Sequence, residues 1–429
     1  AHRSPSRRPG ARYGEPPQEC GHSREEHDHH KAGEPVVYTG GVGHTLRILN
    51  GMPPVLKFAL RHWLALAALG AFALGGGGTG VLRAVPCQGT AGANRQSCYF
   101  DVLRATAKAE GEGTALAKLA QFYARDQAFA RTCHGYAHVL GETAYERYLE
   151  TGAFPIQPEV TYCGYGFYHG FMSKLLAAPG APALARELCG RVERALPPTL
   201  TDACYHGIGH GALSVAAGAP MQSAERAVRE ALKLCEQASD GEPHYLRCAS
   251  GVYMQFTVYA TEGEPGFSID PDDPLALCRR HREREKNDCY TQMQVVLNWL
   301  TGNDLARAAR YVEGISEDGY AIEAIQTLAG SPAHRTVDAA AEVHTCRGLQ
   351  ARLHLPCIQG LALRFMLGGR PGSEYREAVS FCRSSPLREA ERLACFSLVL
   401  QQVRTTYTPD TLLRVCHSID ARYRGNFCP

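Results

Sequence analysis

Good helix formers and apolar residues fill one segment after another along the chain, and the apolar–polar alternation typical of β-strands is nearly absent. Proline and glycine clusters separate these segments. Two of them are preceded by an N-cap residue and a proline at the first helical position, Asp273-Pro274 and Thr408-Pro409. The pattern predicts an all-α fold with helices over Thr114–Ala124, Ala183–Ala195, Ser223–Ala238, Asp304–Val312, Val337–Arg352 and Arg388–Val403.

The first part of the chain has a different composition. Residues 1–51 are rich in Arg, Pro, Gly and His, and they precede the first methionine, Met52, so we expect a disordered or non-native leader. Residues 52–84 have the form of a secretion signal, in which basic residues precede the apolar run Trp63–Leu74 and a Gly/Ala-rich stretch. This run is shorter than the roughly 20 residues of a spanning helix, which favours a cleaved signal peptide over an uncleaved membrane anchor.

The cysteines are regularly spaced. Of 17 cysteines, Cys20 lies in the leader and the other sixteen form successive pairs. Seven pairs are separated by 11 to 15 positions and one, Cys133/Cys163, by 30. An even number of cysteines behind an export signal predicts disulfides and an extracytoplasmic location, secreted or periplasmic. Because Cys-x-x-Cys does not occur, the alternative of reduced zinc or iron–sulfur ligands is disfavoured.

The cysteine positions also predict an architecture. In each short pair, one cysteine comes late in a predicted helix and its partner near the start of the next, as in Cys235 and Cys248. A disulfide there would staple an antiparallel helical hairpin at its closed end. Several such hairpins in series predict an α-solenoid-like array with a loose period. We expect residues 85–218 to carry the candidate chemistry and residues 219–429 to form a repeat scaffold.

The candidate chemistry lies in three copies of the unit [His/Tyr]-Gly-x-x-His. They are His134-Gly-Tyr-Ala-His138, Tyr165-Gly-Phe-Tyr-His169 and His206-Gly-Ile-Gly-His210. Histidines four apart share a helix face, and imidazoles from adjacent helices can converge on one ion. Five histidines in related units therefore predict a metal site, and neutral imidazole suits copper, zinc or iron. The alternatives are a structural histidine ladder and metal-free acid–base catalysis.

Other residues near the units are candidates for supporting roles. Tyr136, Tyr165 and Tyr168 could donate hydrogen bonds to a bound group or simply pack. Glu142, four residues after His138, could ligate an ion, orient an imidazole or act as a base. Non-covalent haem between two helix histidines is a further alternative, whereas Cys-x-x-Cys-His for covalent haem and His-Glu-x-x-His for a zincin protease are both absent.

A glycine recurs at one position of the repeating units, at Gly135, Gly166, Gly207, Gly251 and Gly360. Because glycine inside a helix costs about 1 kcal/mol relative to alanine, its recurrence predicts close helix–helix contact, with backbone approach to a ligand as the alternative.

Charge narrows the function classes. A net charge of +2 with 21% charged residues gives nucleic-acid binding no electrostatic support. Two functions remain. The first is an exported protein that binds a transition metal or haem and could perform redox or hydrolytic chemistry. The second is a secreted helical scaffold that binds a protein or glycan partner, with the histidines in a structural role.

Overall fold

The structure is a computed structural model that describes Cys87 and residues 92–196, 198–218, 223–334, 338–368 and 373–428. The predicted leader and signal segment lie outside these residues. The described chain forms eighteen α-helices: α1 Gly92–Glu110, α2 Glu112–Arg125, α3 Gln127–Thr151, α4 Gly166–Leu175, α5 Ala181–Ala195, α6 Pro198–Ala217, α7 Ala224–Ala238, α8 Glu242–Glu262, α9 Ala276–Arg280, α10 Glu283–Gln292, α11 Gln294–Thr301, α12 Leu305–Glu313, α13 Asp318–Ala329, α14 Ala339–Gly348, α15 Ala351–Gly368, α16 Tyr375–Ser384, α17 Glu389–Thr406 and α18 Pro409–Ser418.

The predicted all-α class is confirmed, since the described residues contain helices, turns and no strand. Two local predictions differ from the structure. The segment predicted as one helix, Val337–Arg352, is divided between α14 and α15. Asp273 does not cap a helix; its carbonyl accepts a turn hydrogen bond from the Ala276 amide, and α9 starts only there. Thr408 is the N-cap of α18, as predicted, and its hydroxyl accepts a hydrogen bond from the Thr411 amide.

All eight cysteine pairs predicted from the spacing are disulfides. Their Cα atoms lie 5.3 to 5.8 Å apart, as disulfide geometry requires. Most of them join the second half of one helix to the start of the next, as Cys235 of α7 and Cys248 of α8 do. The disulfides are Cys87–Cys98, Cys133–Cys163, Cys189–Cys204, Cys235–Cys248, Cys278–Cys289, Cys346–Cys357, Cys382–Cys395 and Cys416–Cys428.

The helices form two layers. Helices α3, α4, α6, α8, α10, α13, α15 and α17 contact one another in that order. The second layer contains the helices that connect one member of this row to the next. Examples are α5, α7, α14 and α16, each of which packs against the row helix that follows it in the chain. The predicted array of disulfide-stapled hairpins is therefore confirmed. No helix in the part of the chain that the structure describes is long and apolar enough to span a bilayer.

Neighbouring helices of the row that carries the histidines approach until backbone meets backbone. A β-carbon placed on Gly166 of α4 would lie 2.5 Å from the carbonyl oxygen of His134 in α3, and one on Gly170 would lie 2.0 Å from that of His138. Both contacts advance by four residues in the same direction, so α3 and α4 run parallel. No residue larger than glycine fits at these two positions.

The same contact recurs between later helices. Gly207 and Gly211 of α6 lie against Tyr168 and Met172 of α4, and Gly251 of α8 lies against His206. The predicted role of the recurring glycines in helix contact is confirmed at Gly166, Gly207, Gly251 and Gly360. It is wrong for Gly135, which is exposed and where a β-carbon would meet only the Phe100 ring at 3.9 Å.

Candidate metal centre

The five histidines of the repeated units lie in one cluster at the contacts between three helices. Helix α3 carries His134 and His138, α4 carries His169, and α6 carries His206 and His210. The four-residue spacing places both members of each pair on one helix face. The parallel, glycine-mediated contacts then bring the three faces together, so that the cluster depends on both the local spacing and the packing.

The first histidine group consists of His134, His138 and His169. One ring nitrogen from each lies within 4.8 Å of the others. The three ring-centroid distances are 5.4, 5.0 and 5.5 Å, and the rings are steeply inclined to one another. Three imidazoles on one tetrahedral ion, with metal–nitrogen bonds of about 2.0–2.1 Å, have centroids about 5.2 Å apart. This group therefore has the spacing of a three-histidine metal site.

The second histidine group consists of His169, His206 and His210, and its ring nitrogens also lie within 4.8 Å of one another. The centroids of His206 lie 5.3 and 5.2 Å from those of His169 and His210. The rings of His169 and His210, however, are stacked 3.7 Å apart at an angle of 12°. Ring-nitrogen lone pairs lie in the ring plane, so these two rings cannot both point at one ion without rotation. The first group is the better arranged of the two.

A hydrogen-bond chain sets the protonation of the first group. His134 donates through Nδ1 to the carbonyl oxygen of Cys163 at 2.9 Å, because a carbonyl can only accept. His134 Nε2 therefore carries a lone pair and accepts from Nδ1 of His169 at 3.3 Å. His169 Nε2 is left with a lone pair; it is buried and has no hydrogen-bond partner among the described residues.

The carbonyl that orients His134 belongs to an unusual turn. Cys163, Gly164 and Tyr165 have φ angles of 61°, 62° and 66°. A left-handed conformation costs an ordinary L-residue about 1–2 kcal/mol, so this turn is held by its surroundings. One of them is the disulfide that joins Cys163 to Cys133, the neighbour of His134 in α3. The disulfide thus holds both partners of the His134 hydrogen bond.

Helix α8 supplies two side chains to the second group. His210 Nδ1 lies 2.7 Å from Oε1 of Gln255, so this nitrogen donates and Nε2 of His210 carries the lone pair. That Nε2 atom is buried without a hydrogen-bond partner among the described residues. His206 Nε2 lies 3.3 Å from the sulfur of Met254.

All five imidazoles are held in the neutral form at neutral pH. Burial lowers the pKa of His138 to about 4, and the neighbouring His134 contributes in the same direction. Burial likewise lowers the pKa of His206 to about 4, with a smaller contribution from Arg247. Burial lowers the pKa values of His134, His169 and His210 as well. Neutral imidazole is the form that binds metal, so no imidazolium has to lose its extra proton at neutral pH.

The predicted tyrosines lie at different distances from the cluster. Tyr165 is at its edge, at the N-cap of α4, with its ring centroid 6.5 Å from that of His206. The Tyr136 ring instead stacks on Phe129 at 4.9 Å, in the aromatic core. Tyr168 is fully buried against Gly207, and its hydroxyl has no hydrogen-bond partner in the described part of the chain.

Glu142 lies one turn beyond His138 on α3. Its carboxylate is 3.8 Å from Lys174 Nζ, and both side chains are more than 40% exposed. It lines a surface groove with Arg104, Arg147 and other charged residues. The metal-ligand groups found among the described residues contain histidine alone.

The chain was compared with known protein families, curated proteins and solved structures. None matches. Evidence for function therefore comes from the five neutral imidazoles and their geometry.

Two members of the cluster were missed by the sequence analysis, Met254 and Gln255. The sequence does carry a signal for the first. Met254 occupies the second-histidine position of the fourth unit, Ser250-Gly-Val-Tyr-Met254. The prediction confines the candidate chemistry to residues 85–218, and Met254 lies beyond them.

Proposed function

We propose that this protein is an exported helical-repeat protein that binds a transition-metal ion through His134, His138 and His169, with His206 and His210 adjoining. The single observation that carries the proposal is the spacing of the first histidine group, whose three centroid distances are all within about 0.3 Å of the tetrahedral value.

The donor set limits the identity of the ion. An all-imidazole group suits copper, zinc or iron, and it disfavours magnesium, calcium and manganese, which prefer oxygen ligands. The low pKa of His138 keeps the group available for binding down to mildly acidic pH. Copper and zinc are the ions that we expect first.

The geometry favours an ion over haem. Two imidazoles on opposite sides of a haem iron have ring centroids about 6 Å apart, with the porphyrin plane between them. The six pairs of neighbouring rings in the cluster have centroids 3.7 to 5.5 Å apart, which leaves no slot for a porphyrin between the two rings of any such pair.

An ion held by three imidazoles keeps a fourth position for water or a substrate, which is the arrangement of catalytic rather than structural zinc sites. A bound zinc would supply an acidified water, and a bound copper would supply one-electron chemistry. His134 and His138 are partly exposed, so the first group can be reached from solvent, whereas His169 is fully buried behind them.

Eight disulfides suggest an oxidising, extracytoplasmic environment. The apolar run of residues 52–84 supports export by a cleaved signal peptide as part of the proposal.

The second candidate function is a secreted scaffold for a protein or glycan partner. It is favoured by the hydrogen bonds of His134 to Cys163 and of His210 to Gln255, since such bonds would also exist in a purely structural ladder. In that case the histidines would contribute to stability and not to metal binding.

Metal analysis of the purified protein separates the two functions. Mass spectrometric metal quantification after incubation with Zn(II) and removal of excess should give a stoichiometric ion in wild type. His138→Ala should lose it. The matched control is His244→Ala, because His244 stacks on Tyr205 at 4.0 Å outside the cluster, and this variant should keep the ion. A metal-free wild type whose His138→Ala variant merely melts at lower temperature would establish the scaffold instead. A Soret band in the wild-type spectrum would identify haem.

A further inference from the structure

The second histidine group continues onto α8 through a methionine. Gly251 of α8 lies against the carbonyl of His206, where a β-carbon would be only 2.0 Å from the oxygen. This contact sets α8 directly beside α6. Met254, one turn after Gly251, consequently places its sulfur 3.3 Å from Nε2 of His206.

That distance matches two ligands of one ion. A nitrogen and a sulfur bound to the same tetrahedral ion, at about 2.0 and 2.3 Å, lie about 3.5 Å apart. The centroids of His206 and His210 are 5.2 Å apart, again close to the tetrahedral estimate of about 5.2 Å. His206 therefore has the spacing of a shared ion's ligand to both Met254 and His210.

His210 has a ring nitrogen that is free to bind an ion. Gln255 engages Nδ1 of His210, which leaves Nε2 with its lone pair. This Nε2 atom is buried, and no hydrogen-bond partner exists for it among the described residues. An acceptor that is buried without a partner is unfavourable, and a ligand bound at this atom would remove that penalty.

We propose that His206, His210 and Met254 form a second metal subsite that is selective for Cu(I), beside the three-histidine group. This inference rests on the proposed metal-binding function and specifies a second ligand set within it. A thioether is a soft, neutral ligand that favours Cu(I) over Zn(II). The three-histidine group lacks sulfur, so the two subsites differ in the ion that they prefer.

His169 lies between the two subsites. Its Nδ1 contacts His134 of the first group, and its ring stacks on His210 of the second. No cysteine thiolate competes with Met254 for copper in the described chain, because every cysteine from Cys87 to Cys428 is in a disulfide. Among the described residues, a sulfur atom bound to copper would therefore come from methionine.

The test is an anaerobic Cu(I) titration of the full chain against a colorimetric Cu(I) chelator, together with X-ray absorption at the copper edge. Wild type should bind Cu(I) with a sulfur atom bonded to the copper. Met254→Leu should keep the fold, lose the sulfur signal and bind Cu(I) about tenfold or more weakly. Its Zn(II) stoichiometry should not change. The matched control is Met366→Leu on α15, which should behave as wild type in every measurement.

The possible failures are distinguishable. If wild type binds Zn(II) and Cu(I) but the copper has no sulfur neighbour, or if Met254→Leu binds Cu(I) as tightly as wild type, the thioether subsite is overturned and the three-histidine site stands. If wild type binds neither ion, the proposed function and the subsite fail together. Circular dichroism on each variant shows whether a loss of binding reflects unfolding.

Discussion

Nδ1 of His169 lies 3.3 Å from Nε2 of His134, between helices α3 and α4, whose backbones meet at glycines. The Cys133–Cys163 disulfide joins α3 to the turn that precedes α4. Two nitrogens bound to one tetrahedral ion are also about 3.3 Å apart. The same pair can therefore share a proton in the metal-free protein and converge on an ion when metal is present, once the proton of His169 has moved from Nδ1 to Nε2.

His169 is the histidine common to both groups. We expect His169→Ala to abolish Zn(II) binding and to weaken Cu(I) binding, because the first group loses a ligand and the second loses the ring that stacks on His210. Equilibrium dialysis followed by metal quantification measures both. Retention of one zinc per chain in this variant would contradict the assignment of the first group.

The Cys133–Cys163 disulfide should matter for metal binding as well as for stability. Replacing both cysteines by alanine frees the Cys163 carbonyl that orients His134. We expect the free energy of unfolding to fall by about 3 kcal/mol. We expect Zn(II) affinity to fall about tenfold or more, as when a group that orients a ligand is removed.

A second disulfide provides the control for that experiment. Cys382–Cys395 joins α16 to α17, which are not among the helices that carry the histidines. Removing it should lower the free energy of unfolding by a similar amount, about 3 kcal/mol, and leave Zn(II) affinity unchanged. Equal losses of affinity in the two double variants would show that affinity follows stability alone. Titration calorimetry and urea unfolding supply the two measurements.

Gly170 should not tolerate a larger residue. A β-carbon there would lie 2.0 Å from the His138 carbonyl oxygen, so Gly170→Ala must push α4 away from α3. We expect a loss of about 3 kcal/mol in the free energy of unfolding, together with weakened metal binding because the rings separate. Thermal unfolding with and without Zn(II) measures both effects.

Gly135→Ala is the matched control on α3. A β-carbon there meets only Phe100 at 3.9 Å, and the position is exposed. Because alanine is the better helix former, this variant should be more stable by about 0.5–1 kcal/mol. A variant at Gly135 that destabilises the protein as strongly as Gly170→Ala would show that the helix contact is not the cause.

Glu391 should contribute a pH-dependent part of the stability. Arg347 is the main cause that lowers the pKa of this buried carboxyl from 4.5 to about 2, helped by the Arg388 amide and His354. A lowered pKa stabilises the folded state fully above pH 4.5, and the contribution is lost as pH falls toward about 2. It amounts to roughly 3 kcal/mol.

Comparison with Glu391→Gln measures this contribution. The gap in the free energy of unfolding between wild type and variant should be largest at neutral pH and should narrow between pH 4.5 and about 2 in urea unfolding series. The exposed Glu377, replaced by glutamine, serves as the control and should show a small gap at every pH. A gap for Glu391→Gln that does not vary with pH would contradict the shifted pKa.

Several features were predictable because they depend on local spacing. Helix formers and breakers predicted the all-α class, and the short cysteine intervals predicted every disulfide among the described residues. The four-residue spacing of His134 and His138 predicted a shared face. Local signals were weaker at helix starts, where Asp273-Pro274 has the composition of a cap but forms a turn.

The convergence of the histidines was decided by tertiary structure. Spacing along one helix does not specify which neighbouring helix it contacts, at what distance or in which direction. Here the glycines of α4, α6 and α8 let backbones touch, and the resulting parallel register brings His169 between His134 and His210. The sequence by itself determined which residues share a helix face. Packing alone determined which ring nitrogens keep a lone pair, and packing alone placed the sulfur of Met254 beside His206. Both features depend on contacts between residues some 30 to 48 positions apart.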